Sequence, residues 1–191
     1  MSTPATTIRE IDSSPVEMAE AQQEWAVAAR PELERVARSY GEVLRYAELA
    51  EAVQVSTGIR TRKLMRTWIG DVLTRVGTDC EGRGEPLLSA LCVQKDGTIG
   101  DGYGVALVTI RGGTAPDDLD LQAAEERLRC YEHFGAVMPA DGGRPQLPPE
   151  VTARRRKAAK AAREDAPKAT CPKCNIVLPA MANGHCYYCD E

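Results

Sequence analysis

The chain has 191 residues, enough for one domain of ordinary size and a small appendage. With one Phe and two Trp, any core must be mostly aliphatic. No apolar run reaches membrane-spanning length, and the N-terminus lacks a basic stretch followed by an apolar one; both speak against a membrane span or secretory signal and for a cytoplasmic protein.

The formal charge of −4 hides a split. Residues 1–150 carry 16 Lys and Arg against 24 Asp and Glu, a net of −8, whereas residues 151–191 carry 8 against 4, a net of +4. An acidic body with a basic tail points to an anionic partner for the tail.

Residues 1–14, rich in Ser, Thr and Pro, read as disordered. Ser14-Pro15 then opens a helical stretch, with Met18, Ala21, Trp25 and Ala28 or Ala29 at helical spacing. Pro31 restarts the pattern, and Leu33, Val36, Ala37 and Tyr40 carry a second helix that Gly41 stops. Val43 to Arg45 is short and extended, and Tyr46 to Val53 is a compact helix. After a turn at Gln54 to Gly58, a longer amphipathic helix is expected from about Arg60 to Val76. Its apolar stripe is Leu64, Met65, Trp68, Ile69, Val72, Leu73 and Val76, and its polar face carries Arg60, Arg62, Lys63, Arg66 and Arg75. Short helix, tight turn and basic helix outline a helix-turn-helix.

Leu87 to Gln94 reads as a strand, Lys95-Asp96-Gly97 as a turn and Val105 to Ile110 as a second strand. Together they would form a wing. Asp117 or Asp118 caps a helix that runs to about Phe134, and residues 135–149, with four Pro, read as a linker. A basic, alanine-rich helix follows in residues 150–166, carrying Arg154, Arg155, Arg156, Lys157, Lys160 and Arg163. Its apolar content is mostly Ala, so it is expected to be solvated or to lie on a partner.

The expected fold is therefore α+β: a helical, winged-helix-like domain over 15–134 with one β-hairpin, a basic linker helix, and a small unit over 169–191. That last unit holds Cys171, Cys174, Cys186 and Cys189, two Cys-x-x-Cys knuckles separated by eleven residues. Two facing knuckles supply four thiolates for one tetrahedral, structural zinc ion. The stretch resembles a zinc ribbon. His185 can swap for a cysteine, but four thiolates suffice. Cys80, Cys92 and Cys130 read as small buried apolar residues, and cysteine usage as that of a reducing compartment.

Residues 41–104 are similar to the winged-helix domain of the alkylguanine DNA alkyltransferases and their alkyltransferase-like relatives. The resemblance lies in Val43-Leu44-Arg45-Tyr46-Ala47-Glu48-Leu49-Ala50 and in Lys95-Asp96-Gly97-Thr98-Ile99-Gly100-Asp101-Gly102-Tyr103. It implies DNA binding. It does not carry over alkyl transfer, because Ser89 stands where those proteins place their acceptor cysteine, and no His or Arg follows it. Arg66 is the nearest counterpart of their base-flipping arginine, one residue out of register.

No phosphate loop, Ser-His-Asp set or catalytic metal motif is present, so the sequence reads as non-catalytic. His133 sits where a helix end needs capping, and Asp117, Asp118 and Asp120 where a helix start favours acids. The reading is a DNA-binding regulatory protein, with Arg60, Arg62, Lys63 and Arg66 facing a groove and the 154–163 cations touching phosphates. The other reading is an adaptor whose zinc ribbon docks on a larger protein assembly. Neither calls for a small-molecule substrate.

Overall fold

The computed structural model describes residues 6–165 together with Cys171 and Cys174. It divides into two compact units, Met1–Val151 and Thr152–Glu191.

The first unit mixes helix and strand. In chain order it contains β1 (Thr7–Arg9), α1 (Met18–Ala37), β2 (Leu44–Arg45), α2 (Tyr46–Thr57), β3 (Ile59–Thr61), α3 (Ile69–Gly82), β4 (Cys92–Val93), α4 (Asp101–Arg111) and α5 (Leu119–His133). The last helix, α6 (Pro149–Asp165), begins in this unit and runs on into the second. β1 pairs antiparallel with β3, Ile8 opposite Arg60, and β2 pairs parallel with β4, Leu44 opposite Cys92.

The core forms where α1 packs against α2 and α3. Trp25 on α1 and Trp68 before α3 are 0 % and 2 % exposed, with ring centroids 4.4 Å apart. The Trp25 indole donates to the Ile59 carbonyl at 3.2 Å, tying α1 to β3. Around this pair close Leu33, Leu49, Val53, Val72 and Leu91, all buried aliphatics. Cys80, Cys92 and Cys130 are fully buried, and burial pushes their thiols up, as inert core cysteines require.

Five expectations need correction. The segment 1–14 is not wholly disordered: Thr7–Arg9 is a strand, and Arg9 reaches Glu24 at 2.8 Å. Pro31 does not restart a helix but stands inside α1; it lies on an exposed face, where water can take the carbonyl its missing N–H leaves unpaired.

The basic helix expected from Arg60 does not start there. Ile59–Thr61 is β3, Met65–Thr67 is one 3-10 turn, and α3 begins only at Ile69. Gly58, with φ +64°, ends α2 and throws the chain into the extended run that β1 captures.

The expected hairpin is absent among the described residues. Leu88–Leu91 is a 3-10 turn, β4 has two residues, and the supposed second arm is α4. Tyr103 and Leu107 are buried and Ile110 packs on the core, a helical spacing that a short β-branched run disguises.

Finally, 135–149 does not behave as a loose linker. The Tyr40 hydroxyl donates to the Arg144 carbonyl at 3.0 Å and accepts from the Arg144 amide at 2.9 Å. Pro148 approaches the space beside Gly97, where φ is +83°, and Arg45 pairs with Glu150 at 2.6 Å. Val151 at the start of α6 is 0 % exposed. The strap therefore fixes the base of α6 to the body.

In the second unit, residues 153–165 of α6 are all exposed, Cys171 is buried and Cys174 is half-buried.

Candidate functional site

The four body cations chosen from the sequence fall on a strand, a turn and a 3-10 segment rather than on one helix face. Arg60 lies on β3 and is held by Glu10 at 3.2 Å and Glu51 at 2.9 Å; the Glu51 hydrogen bond raises its pKa further. It is a structural clamp across β1, α2 and β3. Arg62 and Lys63 follow on the exposed turn, and Arg66 on the exposed 3-10 segment. These three form no ion pair among the described residues. Arg75, Lys95 and Arg127 likewise form none, but most of the body's arginines are paired. Arg9, Arg30, Arg35, Arg38, Arg83, Arg111 and Arg129 all pair with carboxylates there.

α3 carries only one of the cations read onto the expected basic helix, Arg75. Its polar face is engaged by α1: Gln22 donates to Asp71 at 2.8 Å, Arg75 donates to Gln23 at 3.1 Å, and Arg30 meets Asp79 at 2.8 Å. That face carries Asp71 and Asp79 and, of the cations assigned to it, only Arg75. Acidic side chains facing a phosphate backbone would repel it.

The second cation set is Arg154, Arg155, Arg156, Lys157, Lys160 and Arg163, all on α6 and all exposed. Lys160 is 3.8 Å from Glu164. At about 100° per residue, Arg156, Lys160 and Arg163 share one stripe, and Arg154 and Arg155 sit on others. The helix thus presents positive charge around most of its girth.

Of the proposed zinc ligands, Cys171 and Cys174 are described, whereas Cys186 and Cys189 lie outside the described residues. The ligand set is assembled by spacing alone. Among the described residues no group of three metal-ligating side chains occurs.

One feature of the body escaped sequence reasoning: a pocket of about 380 Å³ beside Arg66. Tyr46, Met65, Ile69, Leu73, Ala106 and Tyr103 supply apolar walls, and Arg66, Gln94 and Asp101 supply polar ones. Ser89 lines it too and is 5 % exposed. The 3-10 turn that carries Ser89 is locked from behind. Buried Glu126 accepts the Leu87 amide at 2.7 Å and two Arg111 hydrogen bonds at 2.9 and 3.1 Å. Burial alone would push Glu126 up, but these hydrogen bonds outweigh it and hold the carboxyl below its ordinary range.

Tyr46 lines the pocket from the head of α2. Its hydroxyl accepts the Gly100 amide at 3.1 Å, and burial pushes its pKa up to about 12, so it stays a neutral phenol. A Cβ on Gly100 would come within 2.7 Å of that oxygen, so the approach needs glycine.

No Asp, Glu or His side chain hydrogen-bonds the Ser89 hydroxyl among the described residues. The signal that could have found the pocket was the pair of glycines Gly70 and Gly102 in the first turns of two helices.

No family model, curated protein or solved structure matches this chain. Among the described residues, no helix is long and apolar enough to cross a membrane.

Proposed function

We propose that the chain is a non-catalytic, nucleic-acid-binding regulatory protein that grips the phosphate backbone of DNA. The observation that carries this reading is the distribution of positive charge. An acidic body consumes most of its arginines in internal ion pairs, while α6 exposes six cations within residues 154–163. Arg62, Lys63 and Arg66, exposed and outside any ion pair among the described residues, are a second and smaller contact set. Arg60 is removed from it, because two glutamates hold it. Phosphate contacts of this kind position a protein without reading sequence.

The C-terminal unit is proposed to hold one structural zinc ion through Cys171, Cys174, Cys186 and Cys189. Zinc with four thiolates carries a net −2, which lowers the tail charge without cancelling it.

The test is a titration of duplex DNA with the intact chain and with residues 1–151, at low and at physiological salt. The proposal expects the intact chain to bind, salt to weaken it, and the truncated chain to retain only a minor part. Equal binding by both forms would move the contact to the body. Absence of binding by either would favour the adaptor reading, in which the zinc unit docks on a protein assembly.

A further inference from the structure

Four glycines stand within helices α3 and α4 before their last residue: Gly70 and Gly77 in α3, Gly102 and Gly104 in α4. A glycine inside a helix costs about 1 kcal/mol relative to alanine, so each asks for a reason. Two have one. A Cβ on Gly77 would lie 2.8 Å from Ile110, and one on Gly104 would lie 3.0 Å from Leu119. Gly70 and Gly102 have none: a Cβ at either would meet nothing within 4 Å, and neither has a positive φ. Both line the 380 Å³ pocket. The two helical glycines without an internal packing reason therefore clear space for the same cavity.

The chemistry of the cavity is legible from what surrounds it. α3 and α4 both begin at its wall, and neither N-terminus has a side-chain cap. Among the described residues no acceptor takes the amides of Ile69, Gly70, Asp101 or Gly102. Uncapped helix starts favour negative charge. Arg66 adds a guanidinium that forms no ion pair among the described residues. Ser89 lines the pocket and is 5 % exposed, and Tyr103, which lines it too and is 6 % exposed, has a buried hydroxyl with no hydrogen-bond partner among the described residues. Tyr46 accepts from Gly100 and keeps its own proton to donate. Gln94, Thr74 and Asp101 add polar wall, the Asp101 carboxylate opposing the positive groups, and the remaining walls are apolar with two phenol rings. The volume lies at the small end of the range for ligand sites, about 300–1,000 Å³.

We propose that this pocket binds a small organic anion, an acidic group such as a carboxylate or sulfonate carried on an aromatic body. The acid meets Arg66 and the two helix starts, and the ring lies against Ile69, Leu73 and the tyrosines. The ligand is an effector rather than a substrate, since no Asp, Glu or His side chain hydrogen-bonds the Ser89 hydroxyl among the described residues. The site uses none of the α6 cations and shares only Arg66 with the smaller contact set of the proposed function.

The probe is 1-anilinonaphthalene-8-sulfonate, whose fluorescence rises on binding, with N-phenyl-1-naphthylamine as its uncharged counterpart. Both are titrated into the intact chain. The proposal expects one saturable sulfonate site, with the uncharged probe bound about tenfold more weakly. Gly102→Phe should fill the pocket and weaken binding at least tenfold while keeping the wild-type urea midpoint. Arg66→Ala should weaken the sulfonate about tenfold and leave the uncharged probe unchanged. No saturable binding to wild type would overturn the proposal. So would full binding by Gly102→Phe, or equal affinity for the two probes.

Discussion

Replacing Glu126 tests how the floor of the pocket is held. Its side chain is 0 % exposed and receives the Leu87 amide at 2.7 Å, Arg111 at 2.9 and 3.1 Å, and Arg129 at 3.2 Å. Glu126→Ala deletes the acceptor of a buried amide and one partner of an ion pair. Losses of that kind cost about 3–5 kcal/mol when the surviving charge stays buried. Here Arg111 keeps Glu81 at 2.9 Å and Arg129 is 63 % exposed, so both cations retain other solvation. The cost should fall near the lower end, about 3 kcal/mol. Glu126→Gln keeps a carbonyl for Leu87 and should cost about half as much.

Urea unfolding read by tryptophan fluorescence measures this, because Trp25 and Trp68 both lie in the body core. The pH dependence supplies an independent arm. The Glu126 carboxyl is held below its ordinary range, so its contribution is complete above that range and is lost as pH falls through the lower folded value. The stability gap between wild type and Glu126→Gln should therefore narrow as the buffer is taken below the ordinary glutamate range. Equal costs for Ala and Gln, or a gap that does not change on acidification, would refute this account of the floor.

Two further outcomes follow from the architecture. Tyr40→Phe removes a hydroxyl that bonds Arg144 and also accepts from Gln146 at 3.1 Å; it should cost about 1 kcal/mol and speed proteolysis within 135–149, and an unchanged cleavage rate would count against the strap. Chelation of zinc should unfold residues 169–191 and leave the far-ultraviolet circular dichroism of the body intact, because the body core is closed without those residues; loss of the tryptophan-reported transition would contradict this.

Much of the helical framework was legible. α2, α5 and α6 carry capping or turn residues at their ends and regular apolar or basic patterns within, and Asp118 caps α5 by accepting the Leu121 amide at 3.0 Å. What failed was decided by partners far away in sequence. Ile59 to Thr61 are extended because β1, about fifty residues earlier, bonds to them, and nothing in the local pattern announces that partner. Val105 to Ile110 has strand-like composition, yet its buried residues recur at helical spacing once Leu107 and Tyr103 find the core. The body cations read as one helix face in the sequence, whereas the structure spreads them over a strand, a turn and a 3-10 segment. Arg60 looked equivalent to Arg62 and Lys63 until Glu10 and Glu51 closed on it. The pocket was not read from the sequence, because it is assembled from the starts of two helices and a 3-10 turn, and only Gly70 and Gly102 hint at it.

The salt dependence of DNA binding tests the central claim most directly. Each phosphate contact contributes about −0.9 to the slope of log affinity against log salt on duplex DNA. Six contacts from α6 would give a slope of about −5, and the turn of Arg62, Lys63 and Arg66 about −3 more. In the intact chain, Arg154, Arg155, Arg156, Lys157, Lys160 and Arg163 are replaced together by Ala, which preserves helix propensity. The account expects the slope to flatten by about 5 and affinity at physiological salt to fall at least a hundredfold. A slope and affinity unchanged by that replacement would contradict it.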